Sequence, residues 1–285
     1  MEYFYLAVVF LFGSALGSFI AVVANRYNTG LPFFKGRSIC FSCNTELQNK
    51  DLIPIFSFLF LRGKCRHCQS KIPRETFIVE ILMGVLSVLA FFKSGLLGLD
   101  LSWLLATNYL LLTFIFAIVL LISIYDLKHF IIPDSFLISF FILSFLYLSF
   151  FPSFHFPLLL TTYYLLLTSL VSGLILALPF FLIFLISKGT WFGFGDVKYI
   201  AVLGFFLGFS QGLSAVVLAF WIGAVFSLVA LSIKKLAPRI NLPLLGNNLT
   251  IKSEVPFGPF LSIGIIISFY LSLDLFQINS LLNAF

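Results

Sequence analysis

Long apolar segments follow one another along most of the chain, and they constrain its fold more than any other feature. A helix that crosses a membrane needs ~20 mainly apolar residues. We identify eight apolar segments: 2–24, 76–92, 101–124, 131–151, 158–187, 197–209, 211–233 and 256–273. Since 61% of the 285 residues are hydrophobic and only 10% are charged, too little polar surface remains for a soluble domain. The sequence therefore predicts an all-α polytopic membrane protein with about eight transmembrane helices.

The lengths of three segments lead to further expectations. At 1.5 Å per residue, segment 158–187 would reach ~45 Å, more than the ~30 Å hydrocarbon core of a bilayer, so it must tilt, protrude or kink near Pro179. Segment 197–209 would reach only ~20 Å, so we expect it to begin in a wet cavity with Asp196 at the mouth. The first segment is longer than a signal-peptide core and lacks basic residues before it, so we expect it to be retained.

The basic residues indicate how these helices are oriented. If the N-terminus lies outside, every Lys and Arg except Lys93 falls in a cytoplasmic loop, which is sixteen of the seventeen, and the polar stretch 25–75 alone holds nine. Cytoplasmic loops of membrane proteins carry an excess of Lys and Arg. We therefore predict that 25–75 is cytoplasmic. The net charge of +6 then reflects this bias in a chain surrounded by membrane lipid, and it does not indicate a nucleic-acid partner.

All four cysteines lie in the cytoplasmic stretch, in two Cys-x-x-Cys pairs: Cys40, Cys43, Cys65 and Cys68. Two such pairs present four thiolates to one tetrahedral ion, and their separation is close to that of zinc ribbons. A disulfide framework is the alternative, but cytoplasmic thiols rarely form stable disulfides. His67 could replace one thiolate, although four sulfurs suffice. We therefore predict a small zinc-ribbon-like domain at 25–75, folded around a structural Zn²⁺, between a transmembrane helix at 1–24 and a membrane domain at 76–285 that carries helices 2–8.

Four carboxylates lie within or beside the apolar segments, where a charge needs a reason: Glu80, Asp126, Asp134 and Asp196. Asp126 comes at the end of a helix, where the helix dipole disfavours a negative charge, so capping does not explain it. Asp134 follows Pro133 and fits an ordinary cap or turn at the start of the fourth helix. Asp196 ends a Gly-x-Gly-Asp motif, whose glycines permit backbone angles and close approaches that other residues forbid.

Asp126 and Asp196 are expected at the same cytoplasmic depth. Two carboxylates that converge on one water can share a proton, so that one acts as base and the other as acid in peptide hydrolysis. No rival nucleophile is visible, because His129 and His155 are isolated and the cysteines are assigned to the metal. From the residues alone, an N-cap role for Asp196 stays open.

Several separate motifs occur along the chain in a fixed order. They are Gly17-Ser-Phe19 with Arg26, Arg37-Ser-Ile-Cys40 to Cys43, Asp51-Leu-Ile-Pro54, Arg62-Gly-Lys-Cys65 to Cys68, Ile72 with Arg74 and Glu80, Asp126 to Ile132-Pro-Asp134, Gly193-Phe-Gly-Asp196-Val-Lys198 and Pro256-Phe-Gly-Pro259. In this order they resemble the bacterial type IV prepilin peptidases, the leader peptidase and N-methyltransferase of pilus and type II secretion systems. The chain departs from the family's pattern at Ala21, where Asn is common, and at Asn28, where Pro is frequent.

The resemblance implies a GxGD-type aspartyl peptidase of the bacterial inner membrane, with Asp126 and Asp196 as the catalytic pair. Its substrates would be type IV prepilins or pseudopilins, cut on the cytoplasmic side at a Gly between a basic leader and an apolar helix. The resemblance also implies N-methylation of the new N-terminus from S-adenosylmethionine. Stretch 25–75 carries no glycine-rich cofactor fingerprint. The residues alone therefore define no methyl-donor site. The resemblance offers Glu80, which matches an acid of the family, and Arg74 as candidates, and a structural pairing of the two is the alternative.

A different class of protein would also explain eight helices and a few membrane carboxylates. A transporter with a zinc-bound cytoplasmic regulatory domain is this alternative. Transporter sites usually lie at the membrane midplane, whereas Asp126 and Asp196 are expected at helix ends. A purely structural assembly protein would leave the paired aspartates unexplained. The sequence does not indicate an oligomeric state.

Overall fold

The chain is almost entirely helical where its structure is described. The computed structural model describes residues 2–30, 32–33, 38–40, 42–95, 103–150, 158–236 and 255–277. Within these ranges, the regular elements are a 3-10 turn at Asn49–Asp51, two isolated antiparallel bridges and eight α-helices. The helices are α1 (Glu2–Arg26), α2 (Phe56–Phe60), α3 (Arg74–Lys93), α4 (Trp103–His129), α5 (Asp134–Phe150), α6 (Leu158–Ser187), α7 (Phe194–Leu236) and α8 (Gly258–Leu271). The prediction of an all-α chain is confirmed for this part.

Five of the helices are long and apolar enough to cross a membrane. The spans are Tyr3–Arg26, Arg74–Lys93, Trp103–His129, Thr162–Ser187 and Phe194–Ile233. Helices α5 and α8 are equally apolar but have only 17 and 14 residues. The main difference from the predicted segments is at the end of α4, which continues to His129, so Asp126 lies in its last turn and not after it. Helix α6 continues through Pro179 as one helix of 30 residues.

The helical segment α7 reverses direction at Gly208. This residue has φ 74° and ψ 178°, far from helical values, and glycine tolerates such a conformation because it has no Cβ. A Cβ placed on Gly212 would lie 3.4 Å from the Cα of Gly204, whereas residues eight apart in a straight helix are ~12 Å apart. The two arms of α7 therefore fold against each other as a hairpin. This agrees with the prediction of separate segments 197–209 and 211–233.

The chain divides within α4 into two compact units, Met1–Leu121 and Ile122–Phe285. In the first unit, α1 packs along α3 so closely that a Cβ on Gly13 would lie 2.6 Å from the Met83 carbonyl oxygen. Small residues at a helix interface permit this approach, which increases van der Waals contact between membrane helices.

In the second unit, α7 is the central element and packs against α5, α6 and α8. Its contact with α8 is close, because a Cβ on Gly264 would lie 2.2 Å from the Ala215 carbonyl oxygen. Prolines mark the starts of two of these helices: Pro133 precedes α5, and Pro259 stands in the first turn of α8. Proline suits the first turn of a helix, where its missing N–H would have no intrahelical partner. The starts of α5, α7 and α8 surround the candidate site.

Candidate active site and metal centre

Asp126 and Asp196 line one cavity in the unit Ile122–Phe285. The cavity has a volume of about 490 Å³, and its wall comes from the end of α4 with the turn that follows, the start of α5 and the start of α7. The two carboxylates are close enough to interact electrostatically. The structure thus brings together the two acids that the sequence predicted as a pair.

Asp126 is held at the N-terminus of a neighbouring helix. Only 4% of its surface is exposed, and its Oδ2 accepts the backbone N–H of Gly258, the first residue of α8, at 2.9 Å. A helix N-terminus carries a partial positive charge and free N–H groups, both of which stabilise an anion. Helix α8 therefore compensates for the unfavourable position of Asp126 in the last turn of its own helix. A Cβ on Gly258 would lie 2.7 Å from Oδ2, so only glycine leaves room for this contact.

Asp196 lies in the first turn of α7, where a negative charge is also favoured. The helix begins at Phe194, so Asp196 lies inside the helix and is not its N-cap. Neither Gly193 nor Gly195 has a positive φ. A Cβ would lie 3.0 Å from Asp196 Oδ2 if placed on Gly193, and 3.3 Å from Ile132 Cβ if placed on Gly195. The two glycines therefore matter because they have no Cβ, which lets the Asp196 and Ile132 side chains lie close to the backbone. Neither glycine adopts the positive φ that its lack of a side chain would permit.

An ion pair that the sequence did not suggest lies beside the two aspartates. Asp134 is the first residue of α5, and its Oδ1 pairs with Nζ of Lys198 from α7. The same Nζ lies 5.0 Å from the centre of the Phe194 ring, within the range of a cation–π contact. Both charged residues line the cavity. The sequence predicts Asp134 only as a cap or turn, because no spacing in the sequence relates it to Lys198.

The four cysteines form one cluster in the unit Met1–Leu121. Their ligand atoms all lie within 4.8 Å of one another, and the sulfurs of Cys40 and Cys68 are 3.8 Å apart. All four are free thiols. A tetrahedral ion with metal–sulfur bonds of 2.3 Å would hold its sulfurs ~3.8 Å apart, whereas a disulfide would bring two of them to ~2.05 Å. The thiol geometry therefore fits a tetrahedral metal ion better than a disulfide framework.

The two Cys-x-x-Cys pairs form matching turns. In the first turn, the Cys40 carbonyl accepts the N–H of Asn44 at 2.9 Å, and the Cys40 N–H donates to the Thr45 carbonyl at 3.0 Å. The second turn repeats both hydrogen bonds, from Gln69 N–H to Cys65 O at 3.1 Å and from Cys65 N–H to Ser70 O at 2.8 Å. In each turn the residue after the second cysteine is left-handed, with φ of 52° and 58°. The repeat aims both pairs of thiols at one point.

Hydrogen bonds at Cys40 and Cys68 favour the thiolates of these two residues, and the thiolate is the form that binds metals. The backbone N–H groups of Cys43 and Ser42 lower the pKa of the Cys40 thiol from 9.0 to about 6. The Ser70 hydroxyl, 3.0 Å from the sulfur of Cys68, lowers the pKa of that thiol.

The second turn is tied to the 3-10 turn by an ion pair. Arg66, between the two cysteines of the second pair, donates from Nε and Nη2 to Oδ1 of Asp51 at 2.9 and 2.6 Å. The Asp51 side chain is only 2% exposed. Burial opposes ionisation of this carboxyl, but the Arg66 guanidinium, the Gln48 N–H and the Lys50 charge together outweigh it and lower the pKa of Asp51.

Glu80, a candidate for methyl-donor binding, is buried and supports a strained turn. Its Oε2 accepts the backbone N–H of Ile55 at 2.7 Å, and it also bonds the Ser18 side chain. Ile55 has φ 64°, which is rare for a β-branched residue. The structure describes Arg74 as well and shows no ion pair between Arg74 and Glu80. A role of these two residues in binding a methyl donor stays a prediction.

An all-α membrane chain that brings two aspartates to one cavity is typical of membrane-embedded aspartyl peptidases, and comparisons with known proteins agree with this class. Residues 11–94 match the family model of the Bacterial Peptidase A24 N-terminal domain, and residues 111–228 match that of the Type IV leader peptidase family. The first match includes the four cysteines and Glu80, and the second includes Asp126 and Asp196. The chain therefore belongs to the type IV leader peptidase family.

Individual relatives agree with the family models. The chain is 29% identical to the prepilin leader peptidase/N-methyltransferase of Bacillus subtilis (strain 168) over 241 residues, which are 84% of this chain and 88% of the relative. It is 29% identical to the protein of the same name from Aeromonas hydrophila over 299 residues, 92% of this chain and 89% of the relative. No solved structure shows a significant match. The comparisons do not support the alternative of a transporter.

Proposed function

We propose that this chain is a membrane-embedded aspartyl endopeptidase that removes the leader of type IV prepilins and pseudopilins, with Asp126 and Asp196 as the catalytic pair. One observation carries the proposal: the two carboxylates line one cavity within the region that matches the Type IV leader peptidase family. The names of the relatives include N-methyltransferase. This supports a second activity, in which the new N-terminus is methylated from S-adenosylmethionine.

The surroundings of the two aspartates suggest different roles for them. Asp126 accepts the Gly258 N–H and faces the N-terminus of α8, so it is the better stabilised anion. Asp196 has no hydrogen-bond partner among the described residues and carries the shared proton. Asp126 takes a proton from the attacking water, whose oxygen bonds to the scissile carbonyl carbon, while Asp196 donates its proton to the carbonyl oxygen. The gem-diol intermediate then collapses: Asp196 takes a proton back from one of the two hydroxyls, the C–N bond breaks, and Asp126 gives its proton to the leaving amine.

The charges of the cavity suit a basic substrate segment. Three lining residues are acidic, Asp126, Asp134 and Asp196, and one is basic, Lys198. With the shared proton on Asp196, two negative charges still face one positive charge. A cleft with an excess of one sign of charge raises the local concentration of the opposite sign. This supports a basic leader on the cytoplasmic side of the scissile bond.

The proposed topology has eight transmembrane helices, with the N-terminus outside and the aspartates at the cytoplasmic face. The helices are α1, α3, α4, α5, α6, the two arms of α7, and α8. The reversal at Gly208 supports the count, since α7 as one helix of 43 residues would be ~65 Å long, about twice the bilayer core. In this arrangement 25–75 is a cytoplasmic domain around a structural Zn²⁺, and 76–285 is the membrane peptidase domain.

Cleavage of a purified prepilin by the purified protein in liposomes tests the proposed function. We expect the leader to be released at one peptide bond, and mass spectrometry to find the new N-terminus. A further mass increase of one methyl group on addition of S-adenosylmethionine would support the second activity. Intact prepilin after incubation with folded protein would overturn the proposal.

Replacing Gly258 by alanine is expected to lower the cleavage rate by about 100-fold. The added Cβ would lie 2.7 Å from Asp126 Oδ2, so the carboxylate must move, and a displacement of ~1 Å in a catalytic site can cost this much. Gly212→Ala is the matched control, because its Cβ would make only ordinary contacts of 3.4 Å or more. Initial rates of cleavage check both variants. Equal rates for Gly258→Ala and wild type would mean that the Asp126–Gly258 contact is not needed.

A further inference from the structure

Two buried hydroxyl groups lie behind the residue that binds Asp126. Ser262, one turn further along α8, donates its hydroxyl to the Gly258 carbonyl oxygen at 2.9 Å. The hydroxyl of Tyr199 from α7 lies 2.8 Å from Ser262 Oγ. Because the Ser262 hydrogen is bonded to the carbonyl, Tyr199 is the donor in this second bond. The exposed fractions are 0% for Tyr199 and 2% for Ser262, so neither hydroxyl is hydrated from outside.

The tyrosine distinguishes this arrangement from ordinary helix packing. A serine that bonds the carbonyl four residues earlier is common in helices, and Ser139 and Ser144 of α5 do the same. Neither of these serines receives a second hydroxyl among the described residues. Burying a phenolic hydroxyl costs free energy unless it is hydrogen-bonded. The Tyr199–Ser262 bond therefore favours the one alignment of α7 and α8 in which the two hydroxyls meet.

Gly258 is a residue that needs an external restraint. It must be glycine because a Cβ would meet Asp126 Oδ2 at 2.7 Å, and glycine is the most flexible residue in the chain. Its N–H and C=O belong to consecutive peptide units that meet at its Cα. Holding the carbonyl through Ser262 therefore limits the directions in which the N–H can point.

The Tyr199–Ser262 hydrogen bond also links α7, which carries Asp196, to α8, whose first residue binds Asp126. Tyr199 follows Asp196 by three residues, so both side chains lie on one face of α7. Tyr199 is also close enough to Asp126 to interact with it electrostatically. The chain of contacts runs from α7, which carries Asp196, through Tyr199 and Ser262 to Gly258 and Asp126.

The geometry points to Tyr199 and Ser262 as positioning residues, which hold the Gly258 N–H on Asp126 and set the separation of the two aspartates. This inference rests on the proposed function. Neither residue touches the cavity, so neither is a catalytic residue. Their hydroxyls act only through Gly258 and the alignment of α7 with α8.

Removal of the Ser262 hydroxyl gives the main test. In Ser262→Ala we expect kcat for prepilin cleavage to fall by about fivefold, the size of one net hydrogen bond, with KM unchanged. The acidic limb of the pH profile of kcat should move to higher pH, because Asp126 loses a well-directed N–H. The titratable side chains that line the cavity with Asp126 or interact with it are Asp134, Asp196, Lys198 and Tyr199, and α8 presents none there.

Three further variants separate positioning from stability. Tyr199→Phe leaves the Ser262–Gly258 bond in place, so its loss of kcat should be smaller than that of Ser262→Ala. The double variant Tyr199→Phe/Ser262→Ala removes both hydroxyls and leaves neither one unpaired, so its thermal stability should exceed that of Ser262→Ala. Its kcat and its pH profile should equal those of Ser262→Ala. Ser262→Thr keeps the hydroxyl, so its kcat and its pH profile should be those of the wild type.

Ser268→Ala is the matched control. This buried α8 serine donates to the Gln211 carbonyl of α7 at 2.7 Å, far along the helix from Asp126. We expect lower thermal stability with unchanged kcat and pH profile. An unchanged profile in Ser262→Ala, or an equal shift in Ser268→Ala, would overturn the positioning role. Failure of the proposed function looks different, since folded wild-type protein would then leave the prepilin intact, or Asp126→Asn and Asp196→Asn would cleave normally.

Discussion

Replacing Asp126 or Asp196 by asparagine is expected to lower the rate of prepilin cleavage by roughly 10²- to 10⁴-fold, the range that positioned acid–base groups contribute. Asparagine keeps the size of the side chain but can neither take nor give the proton that the proposed mechanism moves. At position 126 its amide oxygen can still accept the Gly258 N–H, which is 2.9 Å from Asp126 Oδ2 in the native chain. We therefore expect both variants to fold. Initial rates of leader removal, with thermal unfolding in the same detergent, are the measurement.

Asp134→Asn is the matched control for this pair of variants. Asp134 lines the same cavity, but its side chain is 69% exposed and pairs with Lys198. An exposed ion pair contributes about 0–1 kcal/mol, so cleavage should fall by no more than about fivefold. Wild-type rates in Asp126→Asn or Asp196→Asn would rule out the aspartyl mechanism. A loss of the same size in Asp134→Asn would mean that the total charge of the cavity controls cleavage.

The features that the sequence predicted well have causes that are local in the chain. The apolar segments form helices because a bilayer leaves no other partner for their backbone groups. The break in α7 follows from Gly208 between two apolar runs. The two cysteine pairs form matching turns because each is determined by about six consecutive residues.

The contacts that the sequence missed join residues far apart in the chain. The hydrogen bond from Gly258 to Asp126 spans 132 positions, and the pair of Asp134 with Lys198 spans 64. Both depend on how the helices of the second unit pack, which no periodicity reveals. Gly258 entered the sequence argument only as part of the motif Pro256-Phe-Gly-Pro259, without a role.

The predicted pairing of Glu80 with Arg74 is wrong, and the cause is the geometry of the helix. The sequence suggested a pair with Arg74, which precedes Glu80 by six residues on the same helix. Residues six apart in an α-helix differ by ~120° in direction, whereas neighbours on one face are three or four apart. Glu80 instead faces Ile55 and Ser18 of the same unit.

Replacing Cys65 by serine is expected to remove bound zinc from the purified protein and to unfold its four-cysteine domain. Cys65 is the most buried of the four, with 4% of its surface exposed, and its thiol lies within 4.8 Å of the other three. A small domain folded around a metal takes its stability from binding, which is worth about 10–16 kcal/mol for structural zinc. Three thiolates cannot close the tetrahedral site. Elemental analysis measures the metal, and limited proteolysis of 38–72 measures the fold.

His67→Ala is the control that separates four sulfur ligands from three sulfurs and an imidazole. His67 lies in the same turn as Cys65 and Cys68 but outside the four-thiol cluster, so we expect one zinc per chain and a protected domain. Loss of zinc in His67→Ala would assign a ligand role to the imidazole. Wild-type protein without stoichiometric zinc, or Cys65→Ser with full zinc, would contradict the site. Because the aspartates lie in the other compact unit, Cys65→Ser also tests whether leader removal needs an intact metal domain.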